Sequence, residues 1–196
     1  MTRVLVSAIP ARTPFVTYLK RHIKDLEVIW DTTQNAMDTF LTTMRNAGND
    51  PIVHLEDDIL LTKNFMAKIE QAISERPHEV IQFFSRSGAD ITEGSRYRSG
   101  GSYLMNQCQY LPTGIARGIS EYYPLWSGKE KHPTGCDSMM GDYFRVNKMR
   151  YWNHVPSLVN HALVKSQIDS RRSRFRQAKV FIEPEMEGYP LENLYD

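Results

Sequence analysis

The chain has 196 residues, 41% of them hydrophobic and 24% charged, with a formal net charge of +1. That length suits one compact domain with a sizeable core, and the near-neutral charge points to neither a nucleic-acid nor a membrane partner. The two cysteines, Cys108 and Cys136, match no zinc spacing and fit a reducing compartment. The apolar run 4–9 is too short for a signal peptide, and no stretch approaches the roughly 20 apolar residues of a membrane span. The expectation is a cytoplasmic protein without a membrane anchor.

Residues 3–9 read as a buried first strand, largely β-branched, that stops at Pro10. A helix follows through Phe15, Leu19, Ile23 and Leu26, which recur at helical spacing. Residues 27–30 form a second strand ending at Asp31. Strand, helix and strand in this order make the βαβ unit of an α/β domain, whose ligands sit beyond the carboxyl ends of the strands. That places Ser7, Ile9 and Arg12, and with them Asp31 and Asn35, at the mouth of a ligand site. Arg12 offers a forked donor to a diphosphate, or is a solvated loop charge. Asp31 offers an acceptor to ribose or uracil, or caps a helix.

Residues 32–47 read as a second helix with Met37, Phe40, Leu41 and Met44 on its core face. After the loop 48–51, a central strand over 52–55 runs into Glu56, Asp57 and Asp58. Three adjacent carboxylates repel one another. They are relieved by a divalent cation with oxygen ligands, or they open a helix whose dipole welcomes negative charge. If the extended backbone continues, Glu56 and Asp58 share one face and Asp57 takes the other. Asp58 is then the direct metal ligand. Glu56 binds the metal, its water or a ribose, and Asp57 orients the site. Manganese or magnesium is the expected ion.

Further on, 63–76 reads as a helix with a core stripe, ended by Pro77, and 80–84 as a strand. The polar stretch 85–101, with Arg86, Arg96 and Arg98 and several glycines, reads as a long loop, either a connector or a lid. Residues 102–111 look like strand and 115–123 like a short helix. Tyr122, Tyr123 and Trp126 either stack on a sugar or fill the core. A helix opens at 135–137, and 149–155 is a short aromatic strand. The stretch 165–179 is basic, with Arg171, Arg172, Arg174 and Arg176; it binds phosphates or is solvated. Residues 179–182 suggest an edge strand. The acidic tail 183–196, with Pro184 and Pro190, reads as loosely held, so that the domain spans 1–182.

Leu55-Glu56-Asp57-Asp58-Ile59 resembles the acidic Asp-X-Asp motif of glycosyltransferases with the A-type, nucleotide-diphospho-sugar transferase fold, in its Glu-Asp-Asp form. The start of the chain resembles that family's first nucleotide-binding strand and loop. Val155-Pro156-Ser157-Leu158-Val159-Asn160-His161, continuing to Ser166-Gln167-Ile168, resembles its C-terminal segment. The resemblance implies a single Rossmann-like α/β domain with a mixed central sheet flanked by helices. It also implies an enzyme that moves a sugar from a nucleoside diphosphate sugar, a UDP-sugar foremost, to a hydroxyl of a glycan, a protein or a modified DNA base. By the same resemblance His161 is a third metal or diphosphate ligand, where it would otherwise be a histidine on a polar face. Asp137 or Asp142 is the general base, Asp137 ahead of Asp142, although Asp137 is equally explained as a helix cap. Three rivals stand beside this reading, one of them a degenerate glycosyltransferase fold kept for sugar binding, which would bind nucleotide without turnover. A metal-dependent phosphoryl enzyme acting on DNA would want a second carboxylate cluster, and a nucleic-acid-binding protein would use the stretch 165–179.

Overall fold

The computed structural model describes residues 2–164 and 176–194. Its first unit is the expected one. Strand β1 (Arg3–Ala8) leads through a 3-10 turn into helix α1 (Thr13–His22), and β2 (Glu27–Trp30) returns parallel to β1. Helix α2 (Ala36–Ala47) starts later than the sequence suggests, because Asn35 caps it: its Oδ1 accepts from the amides of Met37 and Asp38. Strand β3 (Ile52–Glu56) then pairs parallel with β1, placing Ser7 beside Glu56.

The remaining elements complete two sheets. Strand β4 (Ile59–Leu61) follows the acidic triplet directly, and α3 (Phe65–Glu75) follows β4. Next come β5 (Ile81–Gln82), the single turn α4 (Asp90–Glu93), β6 (Arg96–Ser99), β7 (Cys108–Leu111) and α5 (Ile115–Tyr122). Helix α6 (Cys136–Val146), β8 (Arg150–Asn153) and β9 (Val159–His161) close the domain. The main sheet has the order β2-β1-β3-β7-β5-β8-β6, in which β7 and β6 run against the other five strands. The fold is therefore an α/β domain with a mixed central sheet flanked by helices.

Strand alternation divides the core into two layers. Val4, Val6, Val53 and Leu55 join α1 and α3 on one face. Leu5 and Ile52 join α2, α5 and α6 on the other. His54 lies on this second face, edge-on to Phe40 at 5.4 Å between ring centroids. Glu56, two residues on, inherits the same side.

The structure corrects the sequence reading in three stretches. Residues 85–101 are not one long loop: they carry α4 and the edge strand β6, which pairs antiparallel with β8. The fold holds this polar stretch through Asp90, a buried carboxylate 3.1 Å from Arg96 and 3.2 Å from the Asn153 amide. Residues 102–111 are strand only from Cys108. Before that, Gly100 begins a tight 3-10 turn pressed against α6, where a Cβ would meet Phe144 Cβ at 2.5 Å. The tail is not loose. Glu185 N donates to Leu61 O at 2.8 Å, Tyr18 Oη donates to Glu185 O at 2.9 Å, and Tyr189 packs edge-on to Phe15 and Tyr18. Residues 179–182 form no strand; Phe181 makes an isolated parallel bridge with Ser157, whose amide donates to Val180 O at 2.8 Å. Lys165, Arg171, Arg172 and Arg174, and with them Ser166-Gln167-Ile168, lie outside the described residues.

Candidate active site

The acidic triplet sits where β3 ends and the backbone turns into β4. Asp57 and Asp58 share a cation there, while Glu56 takes a partner of its own. Asp57 points to the α1 side, where its Oδ2 accepts from Ile9 N at 2.8 Å and its Oδ1 from Arg12 at 2.7 Å. It thereby fixes the loop after β1. Arg12 also contacts Asp58 Oδ2 at 2.6 Å, so one buried guanidinium serves two carboxylates. Glu56 faces the other way, and its Oε2 accepts from Gln107 Nε2 at 2.9 Å.

His161 arrives from far along the chain. Strands β4 and β9 form a two-stranded ribbon that places His161 opposite Ile59. The ring Nδ1 lies 2.7 Å from the carbonyl of Ala162, which can only accept, so Nδ1 carries a proton. Nε2 is left to face Asp58 Oδ2 at 3.4 Å. Such a backbone carbonyl behind an imidazole is the outer contact that orients metal-binding histidines.

Ligand atoms from Glu56, Asp58 and His161 all lie within 4.8 Å of one another. Carboxylate oxygens with one imidazole nitrogen suit a hard or borderline divalent ion. Asp58 Oδ1 is buried and has no hydrogen-bond partner among the described residues, as expected of an oxygen reserved for a cation. These residues fit the ion.

Their electrostatics agree. Burial, then repulsion from Asp58 and Asp57, pushes the Glu56 carboxyl well above its ordinary range. Burial likewise raises Asp57 against the pull of Arg12. Burial also acts upward on Asp58, but the charges of His161 and Arg12 overcome it and hold that carboxyl below its ordinary range.

The cluster opens on a cavity of about 800 Å³. Ser7, Ile9, Arg12 and Asp31 line it from the ends of β1 and β2, and Asp137 lines it from the start of α6. Asp31 Oδ1 accepts from Thr33 N, Thr33 Oγ1 and Asn35 N. Burial pushes Asp31 up, and these donors return it below its usual range. Asp137 accepts from Ser138 N at 2.8 Å and from Met105 N at 3.4 Å.

Two expected site residues stand elsewhere. The Asn35 side chain is committed to the α2 cap and does not line the cavity. Asp142 follows Asp137 by five residues, which at about 100° per residue turns it some 140° around α6. It accepts from Tyr122 Oη at 2.6 Å and pairs with Arg145, so it pins α5 to α6. The sequence reading passed over Gln107 and His54. His54 had a signal, a polar ring within the apolar run 52–55 of a central strand. Gln107 had none, since its contact with Glu56 spans 51 positions.

Fold and site together define an α/β protein with a strand-end cluster competent for a divalent cation. No protein-family model and no curated protein matches the chain. Among solved structures, it is similar to a Bacillus anthracis protein described provisionally as a glucose-1-phosphate thymidylyltransferase and crystallised with sucrose. The TM-score is 0.44 at 7% identity, over 82% of this chain and 89% of that one. A likeness of that degree carries no functional argument here. No helix among the described residues is long and apolar enough to cross a membrane.

Proposed function

We propose that this protein is a divalent-cation-dependent glycosyltransferase. It moves a sugar from a nucleoside diphosphate sugar, a UDP-sugar, to a hydroxyl of a glycan, a protein or a modified DNA base in the cytoplasm. The observation that carries this reading is the convergence of Glu56, Asp58 and His161 on a cavity that Ser7, Asp31 and Asp137 also line. Asp58, His161 and Glu56 would hold manganese or magnesium, which supplies charge stabilisation to a departing diphosphate. Asp57 holds Arg12 and the loop after β1 in place beside that charge. Asp137 takes the proton of the acceptor hydroxyl as its oxygen bonds to the sugar carbon and the carbon–oxygen bond to the diphosphate breaks. A two-metal phosphoryl enzyme has less support, because the described residues contain one such ligand group rather than two.

Titration calorimetry with UDP, with and without manganese, tests the reading. Binding that requires the ion, and that falls at least a hundredfold in Asp58→Ala while the circular dichroism spectrum is kept, is expected. Equal binding by Asp58→Ala would remove the ion from the mechanism.

A further inference from the structure

Three buried polar side chains stand in a row across the main sheet: His54 on β3, Gln109 on β7 and Gln82 on β5 are successive register partners and share a face. The first two close on each other. Gln109 Nε2 lies 2.8 Å from His54 Nδ1, and an amide nitrogen can only donate, so the proton of the buried, neutral ring is on Nε2. It goes to Ser7 Oγ, whose own proton goes to Thr43 Oγ1 and that of Thr43 to Thr39 O, each over 2.9 Å. Gln109 Oε1 in turn accepts from Tyr103 Oη at 3.0 Å.

Gln82 serves something else. Its Nε2 lies 2.6 Å from Leu104 O and 2.8 Å from Met105 O, so its two amide protons are spent on adjacent carbonyls of one loop. That loop carries a strained residue. Met105 has a φ of 75°, in the left-handed region that a side chain of this size rarely enters. Such a conformation persists only where its surroundings over-determine it. From this loop Gln107 O accepts from Glu56 N at 3.0 Å, and Gln107 Nε2 donates to Glu56 Oε2 at 2.9 Å. Met105 N donates to Asp137 Oδ2 at 3.4 Å. Met105 and Gln107 line the cavity, whereas Gln82 does not.

We propose that Gln82 is a positioning residue for the cation cluster. By holding Met105 in its left-handed conformation, it sets the loop through which Gln107 aims the Glu56 carboxylate. The proposal rests on the reading of Glu56, Asp58 and His161 as cation ligands.

Two measurements decide it. Positive φ brings the amide and α protons of one residue close together. Met105 should therefore give a strong NOE between them in wild type and a weak one in Gln82→Met, which keeps the length of the side chain without its donors. A weak wild-type NOE, which needs no variant, would overturn the proposal, as would a strong one in Gln82→Met. The second measurement is a double-mutant cycle with Met105→Gly, read as manganese affinity by calorimetry with UDP present. Glycine adopts positive φ without the penalty and leaves Gln82 nothing to hold. Gln82→Met should weaken manganese binding about tenfold in the methionine background, as loss of an outer contact to a metal ligand does, and about twofold or less in the glycine background. The same factor in both backgrounds, or no loss in either, would show that Gln82 does not act through Met105. If wild type binds no manganese with UDP present, the cation reading of the site falls and takes the proposal with it, whatever the NOE shows.

Discussion

The cavity has two polar walls, and they solve the problem of burial in opposite ways. Around Asp58 the wall is charged: three carboxylates, a guanidinium that two of them share, and an oxygen with no hydrogen-bond partner among the described residues. Around His54 the wall is neutral and closed, each proton passed to the next acceptor from Tyr103 to Thr39. Both are buried in the same domain. A protein of this size has little stability to spare, so a neutral network is the ordinary answer to buried polarity. The charged wall departs from that answer, and a departure of this kind marks a site that an outside partner completes.

The comparison breaks if Arg12 is dispensable. Arg12→Gln should destabilise the protein by about 3 kcal/mol, because it strands two buried carboxylates. Millimolar manganese should restore part of that loss, an ion standing in for the guanidinium. Chemical denaturation with and without the ion reads both effects. Unchanged stability would mean that the charged wall is already relaxed.

A smaller effect sharpens the neutral wall. The His54 ring titrates from an ordinary value of 6.5 down to about 3 on folding, so between those limits the unfolded chain binds the extra proton. Its contribution is present above pH 6.5 and is lost as the pH falls toward 3. The slope from this one group is about 1.4 kcal/mol per pH unit. Denaturation at pH 7 and pH 5 should show His54→Gln losing less stability over that interval than wild type. Equal losses would place a charge on the ring that the directional chain forbids.

The smallest expected effect separates two carboxylates of one helix. Asp142→Asn should cost about 1 kcal/mol or less, since its partners Tyr122 and Arg145 are partly exposed, and it should leave manganese-dependent UDP binding unchanged. Asp137→Asn should keep that binding and lose transfer, measured as release of UDP from a UDP-sugar in the presence of an acceptor.

The same contrast explains what could be read from the sequence. The βαβ unit, the strand before the triplet and the split of Glu56 and Asp58 from Asp57 are local facts, carried by alternation and helical spacing. Strand alternation set Asp57 apart from Glu56 and Asp58, but not where it would go. The second half of the sheet was hidden because polar residues in β6 pair with β8 from more than 50 positions away. The tail was misread for a related reason. Its prolines and acids describe a solvated segment, and the residues that tie it down, Glu185 on Leu61 and Tyr18 and Tyr189 on the rings of α1, find their partners far away in the chain. Asp142 looked catalytic beside Asp137 until helical geometry separated them. The neutral relay needed side-chain directions that no local pattern records.

The order in which the chain emerges during synthesis gives Arg12 a further meaning. N-terminal elements leave the ribosome first, so Glu56, Asp57 and Asp58 exist long before β9 brings His161 to Asp58. Arg12 is already made when the triplet appears. A nascent chain can therefore neutralise its most repulsive stretch with a residue in hand, and the cluster of Glu56, Asp58 and His161 is complete only once β9 has docked.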